Sequence, residues 1–424
     1  MKHKHVLWIF LFIVLIQPIA SYAAPLSRLN LLEAENLAIH SSPELQKLKA
    51  DSSALENQSV ADGQLPDPQL ILGAANVPTN SFSFTQDDMT MVNVGIQQAF
   101  PKGHSLAIKS QQTKALATAE QRKILAQKAL LLRNVRDSWL DLYYWIQAAK
   151  ITAQNQKIFH HLLKSTESQY STGKGSQSDV LQLEVEVSRL NDQGAQIQQR
   201  IAVLRAQLGR WIGQNQAHRS LSHRLPHFPN PLSLQVIQSR LLEHPLLEVD
   251  SADISAARDE VAFAKEQYRP GWMLDVDYGI RQGTYTGGMG GTRSNFIGAQ
   301  VTVDLPIFSH NRQGKRLQAA AYRLEAQELD RDAHYKDLLN ELTGQYAVFQ
   351  SLSERENYYQ QHLIPEATQN AKAALMAYQN TKTDLNSVLR AYSNKLTIQL
   401  EQTQIRVERD KARSALLYLE GVTQ

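Results

Sequence analysis

Cysteine is absent from the 424 residues of this chain. That excludes a disulfide framework, a thiolate metal site and an acylated N-terminal cysteine. Long hydrophobic runs are also lacking after Ala24. Crossing a hydrocarbon core takes roughly 20 apolar helical residues, so a membrane-spanning part would have to be a closed β-barrel. Neither sign of charge dominates: 44 Lys and Arg stand against 41 Asp and Glu, a net +3 that falls to +1 without Lys2 and Lys4. This balance gives no electrostatic case for nucleic acid or an anionic surface. No P-loop, dinucleotide fingerprint, nucleophile elbow or HExxH helix occurs, and the sequence does not read as an enzyme.

At the N-terminus, Lys2 and Lys4 precede an apolar run from Val6 to Ile16, and Ser21-Tyr22-Ala23 offers small residues at the −3 and −1 positions. That three-part pattern is expected of a secretory signal over 1–23, cleaved after Ala23 or Ala24, and it predicts export from the cytoplasm.

The rest is a duplication. Leu32, Ile39, Pro43 and Leu45 recur as Leu234, Leu241, Pro245 and Leu247, 202 residues on. The offset then drifts upward through Pro66 and Pro270, Pro101 and Pro306, and Trp139 and Tyr346. It reaches 208 at Tyr170, Lys174, Val180 and Leu181, which recur as Tyr378, Lys382, Val388 and Leu389. Residues 24–213 and 232–424 are read as two structural repeats. The segment 214–231, rich in His, Pro, Ser and Asn, is expected to be a solvated linker.

Each repeat is predicted to run helix, strand, strand, long helix, turn, long helix. In the second, Trp272, Leu274, Val276, Tyr278 and Ile280 alternate with Met273, Asp275, Asp277, Gly279 and Arg281. After a Gly-rich segment (Gly283 to Gly291), Ile297, Ala299, Val301, Val303 and Leu305 alternate with Gly298, Gln300, Thr302 and Asp304. Period-2 alternation with charge on one side gives one apolar and one wet face. Strands are expected at about 65–76, 90–100, 271–281 and 295–305; a half-buried soluble sheet would read similarly.

Proline and glycine are missing from Ser105 to Gln169, which permits a continuous helix on the order of 100 Å at about 1.5 Å per residue. Helical hairpins are predicted over about 105–211 and 312–419, with Pro365 marking a kink or junction in the second. Leu190, Ile197, Ile201, Leu204 and Leu208 form a coiled-coil-like seam. The fold expected is mainly α with a membrane β-barrel. Four strands are too few to close a barrel, for which about eight is the practical minimum, whereas a trimer would bring twelve.

The chain resembles the TolC-type outer-membrane efflux factor family. The markers are Leu65-Pro66-Asp67-Pro68-Gln69-Leu70, Asp304-Leu305-Pro306-Ile307-Phe308 with Asn311-Arg312, and Tyr170-Ser171-Thr172-Gly173 followed by Asp179-Val180-Leu181. The resemblance implies a homotrimer in the outer membrane of a Gram-negative cell, with a 12-stranded barrel continued by a periplasmic helical tunnel. It also implies two partners, a periplasmic adaptor and an inner-membrane transporter. Phe82-Ser83-Phe84, Met89-Thr90, Val94-Gly95, Gln98 and Phe100-Pro101-Lys102-Gly103 are similar to members that accompany heavy-metal efflux pumps of the resistance–nodulation–division class, copper–silver or cobalt–zinc–cadmium. Drug efflux and type I protein secretion are the alternative duties, and a secreted coiled-coil adaptor is the rival class.

Site expectations follow from the resemblance. Tyr170, Gly173, Val180 and Leu181, with Tyr378, Val388 and Leu389, are expected at the adaptor-docking tips. Asp179, Gln182, Ser387 and Arg390 are candidate pore-constriction residues. Ser387 and Arg390 stand where some members carry acidic side chains, and Asp179 is expected to bond Arg390 between hairpins. Asp275, Asp277, Arg281 and Asp304 are expected in the barrel lumen. No cofactor is expected, and His160, His161, His218, His223 and His227 lack the cysteine or carboxylate neighbours of a metal site.

Overall fold

The computed structural model describes residues 28–285 and 290–422. The expected signal over 1–23 and the centre of the Gly-rich segment lie outside the described residues.

The first repeat opens with two capped helices. Asn30 accepts from the Glu33 N–H to start α1 (Leu31–Ser41), and Ser42 accepts from the Leu45 N–H to start α2 (Pro43–Asp62). Pro43 sits in the first turn of α2, where its missing N–H costs nothing. β1 (Gln69–Ala75) begins beyond Pro66 and Pro68, which cannot donate to a ladder, and so starts later than the expected 65. After β2 (Met91–Phe100) come α3 (Ser105–Ser171), α4 (Gln177–Ile212) and the short α5 (Gln214–Ala217). The second repeat has α6 (Leu234–Arg240), α7 (Pro245–Glu266), β3 (Trp272–Ile280) and β4 (Phe296–Val303). It ends with α8 (Gln313–Tyr358), α9 (Ile364–Gln379) and α10 (Leu385–Leu419).

The two long arms match in length. α3 has 67 residues; α8, a π turn at Tyr359–Leu363 and α9 run on for 46, 5 and 16. The π turn precedes Pro365, whose ring would clash with the carbonyl four residues back in a regular helix. Widening one turn lets the arm continue past the proline.

The helices pack side by side. Near the sheet α3 lies against α2 and α7, and farther away against α4 and α10, with α8 packed on α7 and α10. Among the described residues three cores hold this wall, the first two meeting at Leu400. One joins Val135, Trp139 and Leu142 to Leu31 and Ala34 of α1 and to Leu204 and Leu208 of α4. A second joins Phe159, Leu183 and Val187 to Val388 and Tyr392. A third gathers Ile237, Leu241, Leu342 and Leu416. The seam residues Leu190, Ile197, Ile201, Leu204 and Leu208 are all buried.

The segment between repeats is not a solvated loop, which corrects the expectation from its composition. Ala217 and Leu221 are buried, Leu225 and Phe228 pack on the first core, and Leu221 bridges to Leu29. Apolar residues recurring through a polar segment give it a face to bury. Two largely buried arginines fix it further: Arg219 meets Glu33 at 2.6 Å, and Arg413 bonds Glu420 at 3.0 Å and the Pro229 carbonyl at 2.6 Å.

Candidate functional site

The four strands form one antiparallel sheet in the order β1-β2-β3-β4, so β2 and β3 join the two repeats. Its register sorts the side chains by face. Leu70, Ile96, Val276 and Ala299 lie in one cross-strand row, and Leu72, Val94, Tyr278 and Ile297 in the next. Phe100, Trp272 and Val303 continue this apolar face, with the two aromatic rings stacked at 3.9 Å. The opposite face carries Gln69, Gln97, Asp275 and Gln300, then Ile71, Gly95, Asp277 and Gly298. Asp277 therefore has glycine on both neighbouring strands, and a Cβ at Gly298 would overlap its carboxylate. The apolar residues Leu70, Leu72, Ile96, Val276, Tyr278 and Ile297 are exposed, and no other element among the described residues covers them. Among the described residues, β1 and β4 each have one edge without a strand partner.

Arg281 lies just past the end of β3, on the side of Asp275 and Asp277. It is buried: its guanidinium donates to the carbonyls of Ser294 (2.6 Å) and Asp88 (3.0 Å) and stacks over Phe296 at 3.8 Å. Arg293 is a partner the sequence reading missed. It donates to the carbonyls of Thr85, Asp87 and Gln282 and pairs with the Asp88 carboxylate at 2.8 Å. Together they clasp the β1–β2 loop to the β3–β4 loop. Asp304 sits at the opposite end, its N–H donating to the Gly271 carbonyl at 2.8 Å. There it lines a recess of about 880 Å³ with Asp67, Lys102 and Trp272, where sheet meets helices.

The two helical tips share one backbone design. At the first, the N–H groups of Gly173 and Lys174 donate to the carbonyls of Tyr170 and Gln169; at the second, those of Thr381 and Lys382 donate to Tyr378 and Ala377. Ser176 caps α4 and Asp384 caps α10. Two bonds from Ser387 to Asp384 hold that carboxyl below its usual range. The side chains diverge. Val388 is fully buried and Leu389 nearly so, whereas Val180 is half-buried and Leu181 is 53% exposed. Asp179 and Arg390 form no ion pair with each other within the chain; instead Gln182 donates to Asn386, linking α4 to α10. Tyr170 and Arg390 are exposed.

Electrostatics in the wall are set by burial. Asp137, on α3 facing α10, is pushed up to about 6 because desolvation outweighs the attraction of Arg133 and Lys411. His244 is held below its usual range by burial; it bonds the Tyr418 carbonyl through Nε2 and accepts from the Leu246 N–H through Nδ1. Among the described residues no three His, Asp or Glu side chains gather as a metal site. His223 lies 3.1 Å from the Lys150 ammonium, whose charge lowers its proton affinity.

Among the described residues, no helix is long and apolar enough to cross a membrane. Residues 236–422 match the family model for outer membrane efflux proteins. No curated protein matches the chain in sequence. Solved structures match its fold across both repeats. The outer-membrane channel OprN superposes with a TM-score of 0.76 at 16% identity, over 92% of this chain and 89% of its own. The outer membrane protein VceC from Vibrio cholerae gives 0.75 at 17%, over 92% and 96%. The CmeC outer membrane channel of Campylobacter jejuni gives 0.77 at 12%, over 92% and 85%. The chain thus has the fold of these outer-membrane channels throughout, and its second repeat carries the sequence match to the outer membrane efflux proteins.

Proposed function

We propose that the chain is one protomer of a homotrimeric outer-membrane efflux channel, a passive duct that runs no bond chemistry. The observation that carries this reading is the open sheet, with an uncovered apolar face, a polar face behind it and free edges on β1 and β4. Joining β4 of each copy to β1 of the next would close twelve strands and remove edges that otherwise invite aggregation. Lipid would cover the apolar face, while Asp275, Asp277 and, at the inner end, Asp304 would face the lumen.

In this reading the 67-residue arms extend the duct into the periplasm. The tips at Tyr170, Gly173, Val180 and Leu181 and at Tyr378, Val388 and Leu389 meet a periplasmic adaptor that leads to an inner-membrane transporter of the resistance–nodulation–division class. Asp179, Gln182, Ser387 and Arg390 form the constriction. Heavy-metal cations are the cargo we infer, supported by the segment from Phe82 to Gly103. Fractionation tests the channel: the full chain is expected only in outer membranes, as a heat-modifiable trimer, and a soluble periplasmic protein would refute it. Cargo is tested by a deletion strain, expected to be hypersensitive to silver, copper, cobalt, zinc or cadmium. Hypersensitivity to dyes and antibiotics alone would replace metal with drug efflux.

A further inference from the structure

The near-neutral charge of the whole chain conceals a local excess. From Leu305 to Leu324 there is no acidic residue, but Arg312, Lys315, Arg316 and Arg323 occur. Arg312, Lys315 and Arg316 are exposed, and among the described residues none of the three joins an ion pair; the Lys315 ammonium donates only to the Gln318 amide at 3.1 Å. They sit at the start of α8, whose first turn holds no acid. Cations there face the positive end of the helix dipole, an unfavourable placement that a bound anion reverses.

Just before these cations lies an exposed apolar loop, where sheet meets helices. Leu305 is 69%, Ile307 72% and Phe308 88% exposed. Beyond the strand the chain turns, the Ile307 N–H donating to the Leu305 carbonyl at 2.9 Å, so Leu305, Ile307 and Phe308 form an apolar knuckle at the end of the row of Ile297, Ala299, Val301 and Val303. β4 itself has 8 residues, short of the roughly 9–11 that a tilted strand needs to span a bilayer. The knuckle adds apolar surface just beyond the end of this short strand. Continuity with the lipid-facing row and the adjacent unpaired cations both favour a phospholipid surface over water.

We propose that the β4–α8 loop is a docking belt for anionic phospholipid of the inner leaflet. Leu305, Ile307 and Phe308 enter the acyl region, and Arg312, Lys315 and Arg316 take the headgroup phosphate. The inference rests on the channel reading. It is tested by putting a fluorophore into the loop as Phe308→Trp and reconstituting the full chain in phosphatidylcholine vesicles. These contain a small fraction of brominated phosphatidylglycerol or of brominated phosphatidylcholine, and the signal is corrected for the protein without the added tryptophan. The added tryptophan is expected to be quenched, and more by the anionic probe. R312Q/K315Q/R316Q should cut that preference by about fivefold or more, the factor that one cation near an anionic surface contributes. The charge-keeping R312K/R316K should retain it. A tryptophan quenched by neither probe would mean that a neighbouring copy covers the loop, and equal quenching would mean no headgroup role; either overturns the belt while pores still form. Protein that neither floats with the vesicles nor forms pores takes the channel reading down as well.

Discussion

Thr381 holds the same left-handed backbone as Gly173, 208 residues earlier, with φ of +55° against +70°. The two tips were duplicated with their hydrogen bonds intact, yet one kept a residue suited to that conformation and the other a β-branched one. Left-handed backbone costs non-glycine residues on the order of 1–3 kcal/mol. Thr381→Gly is expected to stabilise the second tip by about 1 kcal/mol, read as slower amide exchange of Thr381 and Lys382. Gly173→Thr should do the reverse at the first tip. Equal exchange in both variants would refute the strain.

The Arg293 clasp makes the two outer loops one unit. Arg293→Ala would take this donor from three carbonyls and remove its ion pair with Asp88, a loss of roughly 1–3 kcal/mol for buried groups left without their hydrogen bonds. Proteolysis of intact cells should then nick the 76–90 loop, and the unaltered protein is expected to resist it. Arg293→Lys keeps the charge but not the planar fork, so partial cleavage is expected.

The two sheet faces should respond differently to charge. Val276→Lys places an ammonium at the centre of the apolar face, which costs about 2–4 kcal/mol near a bilayer midplane, and the proposed outer-membrane trimer should fall sharply. Gln300→Lys, on the polar face, should assemble normally. Loss of trimer in both would argue against a lipid-facing and a wet side.

Asp137 and His244 give opposite pH dependence. The folded Asp137 carboxyl is raised from 3.8 to about 6, so its penalty is full above about 6 and disappears as pH falls towards 4. Asp137→Asn should raise stability at pH 7 by on the order of 3 kcal/mol, about two pH units at ~1.4 kcal/mol each. The folded His244 lies below 6.5, so the folded state binds fewer protons than the unfolded and stability drops as pH falls below 6.5. Thermal unfolding of the purified protein between pH 4 and 8 separates them: Asp137→Asn lifts the neutral limb, and His244→Gln flattens the acid limb.

The sequence by itself determined the duplication, the strand alternation and the two long arms, because each is written in local periodicity and in where proline and glycine are missing. Trp272 to Ile280 reads as a two-faced strand without any knowledge of its neighbours. Tertiary structure alone decided which residues meet: Asp277 between Gly95 and Gly298, Arg293 with Asp88, Gln182 with Asn386, Val388 buried where Leu181 is exposed. The 208-residue offset could have pointed to Thr381, since it falls on Gly173. Nothing local marks the other pairs. They join positions about 180 to 205 residues apart, or neighbouring strands set by register, and such partners are fixed by packing and pairing geometry rather than by the pattern of either segment.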